Sequence, residues 1–247
     1  MYVARRLPGG GSPTLAPMAS GENHLIELLP RNDRTRLLSA CESVDLLLEQ
    51  VLSESGKPAP YAYFPRNSFI SLVAPIDNKP MLEVGMVGRE GMLGAHLALG
   101  VPVAPFHSIV QGAGAAWRIG SIPFNKELRR SVPLQRCLNR YLYVLMSQLA
   151  ASAACLRFHQ IGPRLARWLL MTQDRAHADT FRVTHEFLSY MLGVRRVGIT
   201  EAAGDLQRRK LIEYHRGQLR VLDRTGLEAA ACDCYALERG MYTQLLR

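Results

Sequence analysis

Near Pro133 the chain changes its hydrophobic period, and that change limits the folds open to it. From Tyr61 to about Phe124 come short apolar runs broken by Gly and Pro: "AYFP", "SFISLVAP", "MLEVGMVG", "HSIVQG" and "AAWRIGSIPF". Runs of strand length, rich in β-branched and aromatic residues and separated by turn residues, indicate an antiparallel sandwich or barrel. From Pro133 onward the spacing is helical. Leu134, Leu138, Tyr141, Leu145, Leu149 and Ser152 step by 4, 3, 4, 4 and 3, with Leu142 and Met146 alongside, and no Gly or Pro intervenes before Gly162-Pro163. Such a stripe can be core, but a helix joining two domains more often pairs with its own copy. Dimerisation is therefore expected. Gly162-Pro163 is expected to end this helix, with "RLARWLLMT" starting the next. Upstream, "NHLIELLPRNDRTRLLSACESVDLLL" has the leucine spacing of short helices broken at Pro30.

The stretch "VTHEFLSYMLGVRRVGITEAAGDLQRRKLIEYHRGQLRVLD" parses as helix, tight turn, helix and hairpin. Thr184 can cap the first helix, whose buried face would be Phe187, Leu188, Met191 and Leu192. Gly193 stands where the turn needs positive φ. The second helix is expected from about Arg195 to Arg209, with Ile199, Ala203 and Leu206 inward, and "LIEYHRGQLRVL" forms a wing about Gly217. Two adjacent arginines at a helix mouth suit a major groove, because Arg is the best reader of guanine O6 and N7. Gly198 is expected to keep the helix close to a nucleic-acid backbone. Gly204, in mid-helix, is expected to serve tight packing.

Charge points the same way. The net charge is +9; residues 1–124 carry 10 basic and 10 acidic side chains, and residues 125–247 carry 20 and 11, so the excess lies wholly in the second half. A neutral half followed by a basic half suits a polyanionic partner for the latter. No G-x-S-x-G, Walker loop, H-E-x-x-H or nucleotide-binding glycine fingerprint occurs, so an enzyme is not expected. Cys41, Cys137, Cys155, Cys232 and Cys234 show no Cys/His zinc spacing. Cys232 and Cys234 supply two ligands at most, and neither metal nor cofactor is expected. No apolar run approaches the ~20 residues of a membrane span. The opening "MYVARRLPGGGSPTLAPMAS" lacks the apolar region of a secretory signal and is expected to be a disordered tail, with translation starting at Met18.

These segments together resemble the Crp/Fnr transcriptional regulators from about Asn23 onward. Val183 to Ile212 matches the family's helix-turn-helix without a gap, "YFPRNSFISLV" and "VGMVGREGMLG" resemble strands of its cyclic-nucleotide-binding β-roll, and "RLARWLL" resembles the first helix of its DNA-binding domain. The resemblance implies an α+β chain with an N-terminal antiparallel, cyclic-nucleotide-binding-like β-roll, a long dimerisation helix and a C-terminal winged helix-turn-helix. The implied divisions are a tail (1–22), a sensor domain (23–132), the dimerisation helix (133–158) and the DNA-binding domain (159–247). The chain also departs from the family. In members that bind cyclic AMP a cassette supplies a Glu for the ribose and an Arg for the phosphate. The matching stretch here, "GMLGAHLALGVPVAPFHSIV", places Ala95 and His96 at the former and Phe106-His107-Ser108 at the latter. A phosphate without its bidentate Arg loses its strongest partner, so cyclic AMP is not expected to bind. Gly94, Ala95, His96, His107 and Ser108 remain the candidate ligand pocket. The family's Arg-Glu-x-x-x-Arg reading set becomes Arg196-Val197-Gly198-Ile199-Thr200-Glu201, which implies a different operator.

The resulting expectation is a cytoplasmic, bacterial-type transcription regulator that binds double-stranded DNA as a homodimer and meets RNA polymerase. Arg195, Arg196, Val197, Thr200 and Glu201 would face bases, and Thr184, His185, His215 and Arg216 would lie near phosphates. The alternative is a cyclic-nucleotide-binding-like module acting on a partner protein without touching DNA.

Overall fold

The computed structural model describes residues 22–75 and 82–247. The expected tail through residue 21, with Met18, lies outside the described residues. Asn23 is fully buried and anchors the start of the fold. Its Oδ1 accepts from Leu25 N (3.0 Å), capping α1 (His24–Glu27), while its Nδ2 donates to Pro65 O (3.0 Å) and Gly91 O (2.7 Å). Pro30 separates α1 from α2 (Arg31–Ser39), and Leu25, Leu29 and Leu37 are buried as their spacing predicts.

The strands that follow are β1 (Glu42–Leu46), β2 (Val51–Ser53), β3 (Tyr61–Pro65), β4 (Phe69–Ala74), β5 (Leu82–Val87), β6 (His107–Gly112) and β7 (Gly114–Gly120). They form two antiparallel sheets, β1-β7-β3 and β2-β6-β4-β5. Leu46, Ile70, Leu72, Val87, Val110 and Ala116 meet between them. "ESVDLLL", expected to be helical, opens with β1. Pairing with β7 places Glu42 opposite Arg118 and Leu46 opposite Gly114, and this long-range ladder overrides the local leucine spacing. The strand region also stops earlier than expected, at Gly120, where α3 (Ser121–Arg130) begins.

Helix α4 spans Val132–Phe158, capped by the Ser131 hydroxyl, which accepts from Leu134 N. Its inner face corrects the expected stripe. Leu134, Leu138 and Tyr141 are buried within their own chain, against Leu25, Phe64 and Phe124. The Tyr141 hydroxyl donates to Met92 O (3.1 Å), and a Cβ on Gly91 would lie 2.4 Å from that oxygen, so the glycine is required by close approach. Leu145 is half-buried against the same clusters. What α4 leaves exposed is a neighbouring face with Tyr143 (58%) and Met146 (66%), and Phe158 at its end. By length and composition alone α4 is long and apolar enough to cross a membrane, with a mean hydropathy of 1.2 over 18 residues, but long core helices pass the same test, and the inner face of α4 packs on its own chain. Gly162-Pro163 does not end it. The chain turns at His159-Gln160, and Pro163 lies in the first turn of α5 (Ile161–Ala176), where a missing N–H costs nothing.

Helix α5 joins the two halves. Trp168 Nε1 donates to Glu83 Oε1 on β5 (2.8 Å), Arg175 Nε donates to Glu90 Oε1 (2.8 Å), and Met86 of β5 belongs to the same core as Leu165, Leu169 and Leu170. Glu83 is half-buried, also accepting from the Ser71 hydroxyl (2.5 Å), and desolvation pushes its carboxyl up from 4.5 to about 7. The folded chain therefore holds a proton between about pH 4.5 and 7 that the unfolded chain has released, so stability falls as pH rises through that window. Glu83→Gln preserves both hydrogen bonds and removes the titration. Urea unfolding at pH 5 and pH 8 should show the variant more stable than the parent at pH 8 by roughly 3 kcal/mol, with a flatter pH profile. An unchanged profile would place the charge elsewhere.

Candidate nucleic-acid interface

The C-terminal half is built on α6 (His185–Met191), α7 (Arg196–Arg208) and a small sheet. The sheet contains β9 (Ile212–His215), β10 (Gln218–Val221) and a strand not anticipated, β8 (Thr180–Arg182), in the order β8-β10-β9. The Thr184 hydroxyl caps α6 by accepting from Phe187 N (3.1 Å), and Leu188, Met191 and Leu192 are buried, while Phe187 packs edge-on against Trp168. Gly193 adopts φ +61°, which lets the chain reverse into α7, and Ile199, Ala203 and Leu206 form the inner stripe at 0–2% exposure. The wing turns at Arg216 (φ +48°) and Gly217 (φ +79°), two consecutive left-handed residues that match the twist of the flanking strands.

Arg195 is the N-cap of α7 and Arg196 its first residue. Both are exposed, and neither makes an ion pair among the described residues. By contrast, Arg208 and Arg209 at the other end of α7 pair with Asp205. Val197 (60% exposed) and Glu201 share the outer face with the arginines. Thr200 is also exposed, but its hydroxyl donates to Arg196 O (3.1 Å) and accepts from His185 Nδ1 (3.1 Å), which leaves mainly its methyl for an incoming partner.

Between the mouth of α7 and the wing lies an open notch of about 400 Å³, lined by Arg182, Thr184, His185, Arg196, Tyr214 and Arg216 among others. Two of these residues, Arg182 and Tyr214, were not anticipated from the sequence. Tyr214 stacks on His185 (ring centroids 4.5 Å apart) and donates to Val183 O (2.9 Å), fixing the wing to the foot of α6. Burial, with Arg196 adding to it, lowers the His185 pKa, so this histidine is a neutral stacking partner at pH 7. Arg182 had a detectable signal: it is a charged residue directly before the buried Val183 and the capping Thr184. His215 is exposed on the wing beside Arg216.

The two glycines of α7 differ from expectation. A Cβ on Gly198 would meet Ile161 Cδ1 at 2.7 Å, so its bareness serves contact with α5 inside the molecule. A Cβ on Gly204 would meet only the Arg208 guanidinium at 3.6 Å, an ordinary contact, so tight packing does not explain it.

In the N-terminal β-roll, Gly94 (φ +91°) precedes a 3₁₀ turn, Ala95–Leu99, in which Ala95 is buried. His96 is half-buried with Nε2 lacking a partner, and burial lowers its pKa. His107 starts β6 opposite Val73, and the buried Ser108 accepts from the Ser53 hydroxyl (2.8 Å). Among the described residues no hydrogen bond joins the two histidines.

Residues 163–230 match the Crp-like helix-turn-helix domain family. The chain has a Crp/Fnr-type regulator fold. The c-di-GMP responsive global regulator CLP of Xanthomonas campestris is similar over 78% of this chain and 99% of its own (16% identity, TM-score 0.64). FixK2 of Bradyrhizobium japonicum is similar over 78% and 98% (13%, 0.65). The Crp/Fnr-family regulator TTHA1359 of Thermus thermophilus is similar over 77% and 98% (21%, 0.64). Among curated proteins no sequence matches significantly. The Crp/Fnr fold accounts for the β-roll, the long helix and the winged helix-turn-helix, while α8 (Arg224–Ala230) and α9 (Cys234–Leu245) follow. Helix α9 lies beyond the helix-turn-helix match. It returns to the β-roll half, with Gln148 of α4 donating to Glu238 (2.5 Å) and Leu246 buried beside Leu25.

Because Gly204 has room for a methyl group, Gly204→Ala should stabilise the chain by about 1 kcal/mol, the helix-interior difference between the two residues. A urea midpoint at or below that of the parent would reveal a constraint absent from the free chain.

Proposed function

We propose that this chain is a cytoplasmic, sequence-specific DNA-binding transcription regulator that acts as a dimer on an inverted repeat. The observation that carries the reading is the mouth of α7: Arg195 and Arg196 project without an ion pair among the described residues, beside a notch that Arg182 and Arg216 also line. Four guanidinium groups around a helix N-terminus form an electrostatic footprint for phosphates, and a helix mouth of this kind can present Arg to a guanine edge. Arg195, Arg196, Val197, Thr200 and Glu201 face bases in this reading. Thr184, His185, His215 and Arg216 border the backbone, and Arg182 joins them. The candidate ligand residues Gly94, Ala95, His96, His107 and Ser108 include neither the Arg nor the Glu that a cyclic phosphate and its ribose need, which suits an effector other than cyclic AMP. The domain divisions at residues 23, 133 and 159 belong to this proposal, as does contact with RNA polymerase.

Arg196 and Arg195 should behave differently. Selection from random DNA with Arg196→Ala should flatten preference at one base pair per half-site, a discrimination of roughly 1–3 kcal/mol. Arg195→Ala should weaken all sequences alike and lower the salt slope by about one unit for each phosphate the arginine no longer neutralises. A wild-type preference retained by Arg196→Ala would reject the docking of α7.

The dimer surface proposed is the exposed face of α4 with Tyr143, Met146, Ala150 and Ala153, spaced for a helix pair. A twofold pair would set half-site centres about one helical turn (~34 Å) apart. Met146→Glu places a charge on this face without touching the chain's own core, unlike a change at Leu145. Sedimentation should show a monomer with native circular dichroism and no tight DNA binding; a persisting dimer would move the interface elsewhere.

A further inference from the structure

Four donor groups from distant parts of the chain converge where the two halves join. Cys155 sits in the last turn of α4, and His159 follows it by four residues as the C-cap of that helix. Cys232 precedes α9 and Cys234 opens it. The Cys155 and Cys232 sulfurs are 3.5 Å apart, Cys234 Sγ and His159 Nδ1 are 3.6 Å apart, and all four ligand atoms lie within 4.8 Å of one another. The three thiols are buried as a cluster of their own, separate from the apolar cores, while His159 closes the group from the solvent side. This corrects the expectation of two ligands at most: 77 residues separate Cys155 from Cys232, a spacing no local motif reveals.

We propose that Cys155, His159, Cys232 and Cys234 hold one structural Zn²⁺ ion that clamps α9 to the turn between α4 and α5. Tetrahedral zinc takes sulfur at about 2.3 Å and imidazole nitrogen at about 2.0–2.1 Å, which sets neighbouring ligand atoms roughly 3.5–3.8 Å apart. Two of the observed separations already have that length, and the remainder need contraction of about an ångström at most. Three sulfurs and one nitrogen, all from protein, form a closed set of the kind found in structural zinc sites, with no position left for substrate. A cubane iron–sulfur cluster, whose four ligands bind four separate irons, needs a wider cage. Plain apolar packing of thiols would account for the burial but not for the imidazole turned onto Cys234. A Cys155–Cys232 disulfide would require the sulfurs to close to about 2.05 Å and would leave the other two donors idle.

The surroundings fit the charge. Zinc with three thiolates carries one net negative charge, and Arg164 and Arg167 of α5 lie against Cys155. Arg167 Nε is buried without a hydrogen-bond partner, and the positive charge of that residue acts on the Cys155 sulfur. Groups just outside the ligands that balance their charge and orient them are a regular part of such a site. Zinc takes the cysteines as thiolates and so competes with protons, and affinity should rise with pH.

The test uses the full chain, purified under reducing conditions. Elemental analysis should find one zinc per chain. The metal-free chain titrated with Co²⁺ alone should develop thiolate-to-cobalt charge-transfer bands and intense tetrahedral d–d bands, which Zn²⁺ then bleaches. His159→Ala alters a side chain at the edge of the fold and should fold, yet its Zn²⁺ affinity should drop by more than the ~10–100-fold typical of outer-shell changes. Cys41→Ser, outside the cluster, should behave as the parent. Absence of the cobalt spectrum in a chain with native circular dichroism would overturn the site. Retained iron with sulfide-bridged absorption would overturn the zinc assignment, and parental affinity in His159→Ala would overturn the ligand set. None of these readouts involves DNA, so the site stands or falls independently of the proposed function.

Discussion

A buried guanidinium holds the two halves of this molecule in register. Arg175, 6% exposed, donates from Nε to Glu90 of the β-roll half, from Nη1 to Met171 O within α5, and approaches Glu238 of α9 at 3.7 Å. Burial works against its charge, but the Glu90 and Glu238 carboxylates keep it protonated. Such a triad adds little net stability over apolar packing, but stripping one partner leaves an uncompensated charge and costs about 3–5 kcal/mol. The effect is orientational: only one docking of α5 on the β-roll satisfies all three groups. Gly88 is part of the same device, because a Cβ there would lie 2.8 Å from the Arg175 stem and 2.7 Å from Glu90.

From that joint the rest follows in layers. Trp168 and Glu83 extend the contact along β5, and Arg167 pairs with Glu238 (2.8 Å) to bring α9 under α4. With α5 immobilised, its apolar face carries α7 through Ile199, Ala203 and Leu206, so the mouth of α7 projects at a set angle. The arginines at that mouth form no ion pair among the described residues: Glu186, which lines the same notch, accepts from the Tyr190 hydroxyl instead, and Asp205 lies at the far end of α7. A surface left charged in this way is costly for a lone chain and useful for one that meets a polyanion.

Much of the reader was legible locally. Thr184, Gly193, the Ile199-Ala203-Leu206 stripe and the Gly217 turn each act within a few residues, so capping, φ preference and period identify them without tertiary knowledge. The face of α4 was not legible. Leu134 and Tyr141 lie on an apolar stripe that suits a partner helix and a β-roll equally well, and only the position of β3 and α1 decides between them. The same holds for Gly198, whose bareness is matched to Ile161 and not to anything nearby in sequence.

The amino-acid order by itself determined the period change near Pro133, the concentration of positive charge after residue 124, and the turn chemistry of the winged reader, because these depend on neighbours within a turn or a hairpin. Only the tertiary structure decided which face of α4 stays exposed, where Arg175 finds its carboxylates, and that Cys155 and His159 meet Cys232 and Cys234. The side-chain pairs in those outcomes lie from 63 to 85 positions apart, Arg175 with Glu238 and Glu90 at the extremes. At such separations the chain's own spacing carries no signal, and burial, charge compensation and packing choose the partners.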